Sequence, residues 1–327
     1  MSAPLDVLIV GGGPAGLSAA LMLGRARRRV LLFDAGQQRN RRSRRIGGFL
    51  TRDGCSPRDL LRISRQQLRA YPTLELRDGV EIVSAKPCAS GFQLRSKTGE
   101  VFLGRKLLVA TGVTDSPPPI PNVERFYGRG VLHCPYCDGY EQRDKSIAVY
   151  GGSTDALALA LELTGWTSRL CLVSDGLCEL RPAQRRRLSA SGITLREEPI
   201  TGLKGRGSQL ERILFARGED LPVDALFFHA KGQARLDLAR ELGLDADRRK
   251  PLKTAGYGKT RVPGLYVAGD ASNHVQFAIV AAGEGAAAAF AINTELLKED
   301  IAGSPRRSRA VLAQEACQPE TRLLRRA

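Results

Sequence analysis

Aromatic residues make up only 6% of this 327-residue chain, with a single Trp and 3 His. A nucleic-acid reader combines its basic residues with a recognisable reading module or interleaved aromatics, and neither is present. The net charge of +16 comes from Arg clusters at Arg25 to Arg29, Arg39 to Arg45, Arg185 to Arg187 and Arg322 to Arg326, which read as solvated surface. No apolar run reaches the roughly 18 residues needed to span a bilayer. The strand-like run Leu5 to Val10 starts almost at once, so no export leader is expected. A second CxxC and an HxxxH pair are also missing, which leaves a zinc ion without four ligands. The 7 Cys are odd in number and scattered, which excludes a disulfide framework and suits a reducing compartment, the cytoplasm.

What is present is an ordinary soluble composition, 43% apolar and 26% charged, in a chain long enough for two cores. Its chemistry concentrates in His133-Cys134-Pro135-Tyr136-Cys137-Asp138-Gly139. Two thiols separated by two residues can close a small disulfide ring; one attacks as thiolate and the other resolves the mixed disulfide. Asp138, directly beside them, can pass protons to and from sulfur. A redox cofactor is therefore expected nearby.

The opening segment specifies a dinucleotide site. A buried strand, Val7 to Val10, runs into Gly11-Gly12-Gly13-Pro14-Ala15-Gly16, then a helix, Leu17 to Leu23, and a second strand ending at Asp34. Gly11 permits the tight turn, Gly13 lets backbone approach a pyrophosphate, Gly16 allows close helix packing, and Asp34 stands where a carboxylate accepts bonds from a ribose. The basic loop Arg39 to Arg45 can reach cofactor phosphates or be a solvated face. A helix is expected from Ser56 to Tyr71, a meander near Val80 to Val83, Phe92 to Arg95 and Val101 to Leu103, and a buried strand from Lys106 to Gly112. Thr114 to Pro121 read as a stiff, extended interdomain linker.

A second copy of the pattern follows the dithiol. Strand Ser146 to Tyr150 enters Gly151-Gly152-Ser153-Thr154-Asp155-Ala156, then helix Leu157 to Thr164 and strand Arg169 to Val173. Ser153 replaces the middle glycine, and Asp175 stands where an Arg would hold the 2′-phosphate of NADP. A weak NADH-biased site and a relic that folds without binding nicotinamide are equally consistent with this. Near the end, Val262 to Asp270 reads as turn, buried strand and acid, followed by a small-residue helix, Phe277 to Leu297. Asp270 can bond a ribityl hydroxyl, and the helix start can stabilise negative charge on a reduced flavin. The tail from 303 onward reads as basic and mobile.

With CxxCDG, two glycine turns and Ala268-Gly269-Asp270 in hand, the chain resembles low-molecular-weight thioredoxin reductases over residues 1 to about 300. Two departures, Ser153 and Ser174-Asp175-Gly176, break that family's nicotinamide motif. His133 to Cys137, Arg39-Asn40 and Gly48 to Gly54 look more like the dithiol oxidases of gliotoxin, holomycin and romidepsin biosynthesis. The resemblance implies an α/β fold with two Rossmann-like domains: an FAD domain (1–115 and 254–302) interrupted by a smaller NAD(P)-like domain (122–250) that carries the dithiol, with 303–327 as tail. It implies a homodimer that oxidises a small-molecule dithiol, using FAD and oxygen and giving hydrogen peroxide. The alternative is an NAD(P)H-dependent disulfide reductase.

By analogy Cys137 is the thiol against the flavin, Cys134 exchanges with substrate, and Asp138 donates the proton. His133 is a further acid–base candidate, able to take the substrate's proton or hold Cys134 as thiolate; His274 is another, and His229 is expected in the core. The expected FAD contacts are Gly11, Gly13, Pro14, Ala15, Gly16, Asp34, Ala35, Arg39, Asn40, Val83, Ala110, Thr111, Gly112, Gly269, Asp270, Gln276, Phe277 and Ala278. No metal, nucleic acid or membrane contact is expected.

Overall fold

The protein is described from a computed structural model, over residues 4–303 except 246, 248 and 251. Apolar residues on both faces of Leu5–Val10 suit a strand covered from both sides. It runs at the centre of a seven-stranded sheet, parallel to Val30–Asp34 and to Val101–Val109. Leu74–Asp78 extends the sheet beyond Val30–Asp34, and Leu265–Val267 pairs in parallel with the last residues of Val101–Val109. The first half of Val101–Val109 instead pairs antiparallel with Gly91–Ser96, which pairs antiparallel with Ile82–Cys88. The expected meander is therefore an extension of one long strand of the main sheet.

Helix Pro14–Arg25 leaves the first glycine turn and packs on helix Ala278–Gly303. Ala15, Ala19 and Ala20 meet Ala281, Ala288 and Ala289 in one buried layer. A side chain on Gly285 would overlap the Ala15 carbonyl, so small residues set the close approach. Ser56 caps the helix Pro57–Leu68, its Oγ accepting the Asp59 N–H at 3.0 Å.

The second unit holds a five-stranded parallel sheet in the order Thr194–Arg196, Leu170–Val173, Ile147–Tyr150, Ala225–Phe228, Val131–Leu132. A three-stranded antiparallel sheet, Ile200–Arg206, Gln209–Phe215 and Leu221–Pro222, contributes Leu203, Leu210 and Ile213 to its core. His229, expected in this core, is exposed: the strand ends at Phe228, and the chain turns out one residue later.

Two crossings join the units, and they pair with each other. Val113–Thr114 and Gln233–Ala234 form a two-stranded antiparallel ribbon. The chain returns to the first core at Ala234, followed by Leu236, Leu238, Ala239, Leu242, Leu244 and Leu252. This differs from the expected boundary at 250. The short helix Asp237–Glu241 buries Leu238 and Ala239 beside Ile82 and Ala85, and Glu241 accepts the Ala85 N–H at 2.8 Å. A basic tail was expected to be mobile; residues 304–327 lie outside the described residues. No helix among the described residues is long and apolar enough to cross a membrane.

Candidate active site

The first glycine turn opens onto a cavity of about 720 Å³. Gly11 adopts φ +121°, and a side chain there would overlap the Ala110 carbonyl. At Gly13 the space is open for 4 Å around a would-be Cβ, which is the room a pyrophosphate needs. All but one of the expected FAD contacts line this cavity: Gly11, Gly13, Pro14 and Ala15 from the turn, Asp34, Ala35, Arg39 and Asn40 from the next strand and loop, Val83, Ala110, Thr111 and Gly112 from the sheet, and Gly269, Asp270, Gln276, Phe277 and Ala278 from the closing strand and helix. Gly16 is the exception. Its place is taken up by packing, since a side chain there would overlap the Gly11 carbonyl.

Asp34 is buried and already engaged, accepting the Gly36 N–H at 2.8 Å, Gln38 Nε2 and Arg65. A cavity of this shape, with an open middle glycine and a carboxylate at the strand end, fits a dinucleotide such as FAD. A larger hollow of about 1070 Å³ lies between Pro57–Leu68 and Leu74–Asp78, but none of the dithiol or glycine-turn residues line it.

Arg39, one of the expected FAD contacts, has partners of its own within the protein. Its Nε and Nη2 donate to both oxygens of Asp115 at 2.6 and 2.7 Å, and its Nη1 donates to Asp270 at 3.0 Å and to Gln276 at 2.6 Å. The Asp115 side chain is only 2% exposed. Burial opposes its charge, yet the Arg39 bonds hold its carboxyl below the usual range. Burial pushes Asp270 up despite Arg39. Tyr127 Oη lies 3.5 Å from Asp115, and burial beside that carboxylate pushes the phenol up to about 12.

Cys134 and Cys137 are joined as a disulfide at the start of the one-turn helix Pro135–Asp138. Cys137, Asp138 and His133 line the flavin cavity, whereas Cys134 does not. Burial raises Asp138 to about 7, with Glu141 adding to the shift and Arg45 opposing it. Burial pulls His133 down to about 4, with its Nε2 3.9 Å from Asp115. The imidazole is therefore neutral at pH 7 beside the closed disulfide. His274 is exposed and does not line the cavity.

The basic loop keeps Arg41, Arg42, Arg44 and Arg45 exposed and is at the same time a strap. Arg39 holds Asp115, Arg42 pairs with Glu124 and lies over the Tyr127 ring, Arg44 donates to Ser208 Oγ at 2.8 Å, and Arg45 reaches Glu141 at 3.4 Å. At the end of the strap, a side chain on Gly47 would overlap the Cys137 carbonyl. Asp115, Tyr127 and Gly47 are not among the expected site residues; nothing local in the sequence joins Asp115 and Tyr127 to the basic run that reaches them.

The second glycine turn carries a side chain, Ser153, at the position that Gly13 holds in the first. Ser153 Oγ caps its own helix, accepting the Ala156 N–H at 3.4 Å. The Leu177-Cys178 backbone lies where a side chain on Gly152 would project, and Glu179 N–H donates to the Gly152 carbonyl at 2.9 Å.

Residues 5–285 match the pyridine nucleotide-disulphide oxidoreductase family. The chain is 33% identical over 282 residues to the thioredoxin reductase tcpT of Claviceps purpurea, covering 81% of this chain and 86% of that one. It superposes on the crystal structure of HlmI with a TM-score of 0.88 at 34% identity, covering 97% and 98% of the two chains. Against the putative thioredoxin reductase TrxB of Bacillus anthracis the TM-score is 0.85 at 30% identity, over 90% and 99%. With a redox-active CxxC and an FAD cavity between two α/β units, the chain belongs to the pyridine nucleotide-disulphide oxidoreductase family, as a thioredoxin reductase-like, FAD-dependent thiol–disulfide oxidoreductase.

Proposed function

We propose that this enzyme is a dithiol oxidase that closes a disulfide in a small molecule, with oxygen as final acceptor. The observation that carries the reading is the split of the dithiol: Cys137 and Asp138 belong to the wall of the flavin cavity and Cys134 does not. A substrate thiolate attacks Cys134 Sγ and breaks the Cys134–Cys137 bond, and Cys137 leaves with the electron pair. The second substrate thiol displaces Cys134 and closes the substrate's own disulfide, so two electrons and two protons stay with the enzyme dithiol. FAD held by the Gly11–Ala15 turn and the start of the closing helix would supply the two-electron acceptor for the reduced Cys134–Cys137 pair, with oxygen as final acceptor and hydrogen peroxide as product. Asp138 supplies the proton to the departing Cys137 sulfur. His133, neutral and beside Cys134, accepts a hydrogen bond from the incoming thiol.

Ser153 at the middle position of the second glycine turn, with Asp175 in place of a basic residue, supports an enzyme reduced by thiols rather than by nicotinamide. The exposed apolar residues Phe290, Leu297 and Ile301 on the closing helix, with Tyr257 against Phe290, support a homodimer.

The test is an anaerobic titration of the FAD-loaded protein, following oxidised-flavin absorbance. Bleaching by dithiothreitol, with none by NADPH or NADH, is expected, and peroxide should appear in step with dithiol loss once air is admitted. Rapid bleaching by either nucleotide would replace this reading with a nicotinamide-dependent disulfide reductase.

A further inference from the structure

We infer that an aromatic rim beside the dithiol, Tyr136 with Trp166 and Phe277, selects dithiols carried on a flat, unsaturated carbon frame. This rests on the dithiol oxidase reading and deepens it by naming the substrate's chemical class. The chain has few aromatics and one Trp, yet three meet here. Tyr136 lies between the two redox cysteines and is 64% exposed. Its ring is nonetheless held from two sides, edge-on to Trp166 at 5.7 Å and tilted against Phe277 at 5.8 Å between centroids.

The indole is brought in by a missing side chain, since a Cβ on Gly139 would lie 3.0 Å from its ring. Phe277 belongs to the other unit and also lines the flavin cavity, so the rim spans the junction at the reactive sulfurs. A ring that is exposed but held presents its face without losing rotamer freedom on binding, which is how aromatic side chains contribute affinity at low cost. Oxidation of a dithiol also needs the first sulfur delivered to Cys134 Sγ and the second held where it can attack the first and displace Cys134. A frame stacked on the adjacent residue keeps the second sulfur within reach after the first has reacted.

The test uses two probes that close the same six-membered cyclic disulfide and differ in frame: dithiothreitol and benzene-1,2-dimethanethiol. The readout is the ratio of their kcat/KM values for anaerobic flavin reduction by the FAD-loaded enzyme. The benzene-framed probe should be favoured by about 3- to 10-fold, the size of one aromatic pair, with the difference residing in KM. The ratio should fall toward one in Tyr136→Ala, fall partway in Trp166→Ala, and persist in Tyr136→Phe. A wild-type ratio near one, or a preference that survives both alanine variants, overturns the rim as a selector while leaving the oxidase reading intact. Failure of both probes to reduce the flavin overturns the oxidase reading itself, and the selector with it.

Discussion

Asp138 can act as a donor only if it keeps its proton near neutral pH, and burial beside Glu141 raises it to about 7. The protonated form is the competent one, so disulfide opening, corrected for the thiolate fraction of the attacking dithiol, should slow as pH rises through about 7. In Asp138→Asn stopped-flow traces should show a rate about 10²-fold lower, with that limb gone from the pH profile. Retention of the limb would assign it to another group.

Arg39 holds two acids at once, and Asp115 is almost fully enclosed. Arg39→Ala leaves a buried carboxylate without its partner, which costs about 3–5 kcal/mol. Denaturant unfolding of the FAD-loaded protein should register a loss of that order, and an unchanged midpoint would show that Asp115 finds other compensation.

The strap from Arg39 to Gly47 ties elements that are far apart in the chain. Its exposed ion pairs are individually worth about 1 kcal/mol or less, and its tip rests on the backbone of Cys137. Gly47→Ala must therefore push the dithiol turn away from the cavity. Flavin reduction by dithiothreitol should drop at least tenfold while bound FAD per protein stays at the wild-type level; parallel loss of both would place the fault in folding. The elements themselves were legible where their determinants are local. The glycine turn, the apolar run before it and the helix start at Pro57 each occupy a few adjacent residues, and they fell where the pattern put them. Arg42 and Glu124, or Arg39 and Asp115, are joined only by the fold, and a run of Arg reads equally well as solvated surface. Leu236 to Leu252 carry no sustained period, so their return to the first core was also out of reach.

At the scale of the molecule, two nucleotide-binding patterns have different fates. The first opens on space at Gly13, and the second carries the Ser153 side chain at the equivalent position, while Gly12 and Gly152 are both crowded. Ser153 is the visible departure in the sequence; the Leu177-Cys178 backbone beside Gly152 is not visible there. Restoring the glycine with Ser153→Gly, together with basic residues at Ser174 and Asp175, should therefore introduce NADPH-driven bleaching. Its absence would show that more than these side chains closes the turn.

The paired crossings, Val113–Thr114 against Gln233–Ala234, give the molecule the topology of a graft. The dithiol unit enters and leaves its host at one hydrogen-bonded point, so excising it leaves two chain ends already side by side. A tight turn spliced in place of residues 116–231 would close the host as a hairpin. The expected product is a yellow protein that still holds FAD through its glycine turn and closing helix, and that no dithiol can reduce: a flavin housing with its electrical inlet removed.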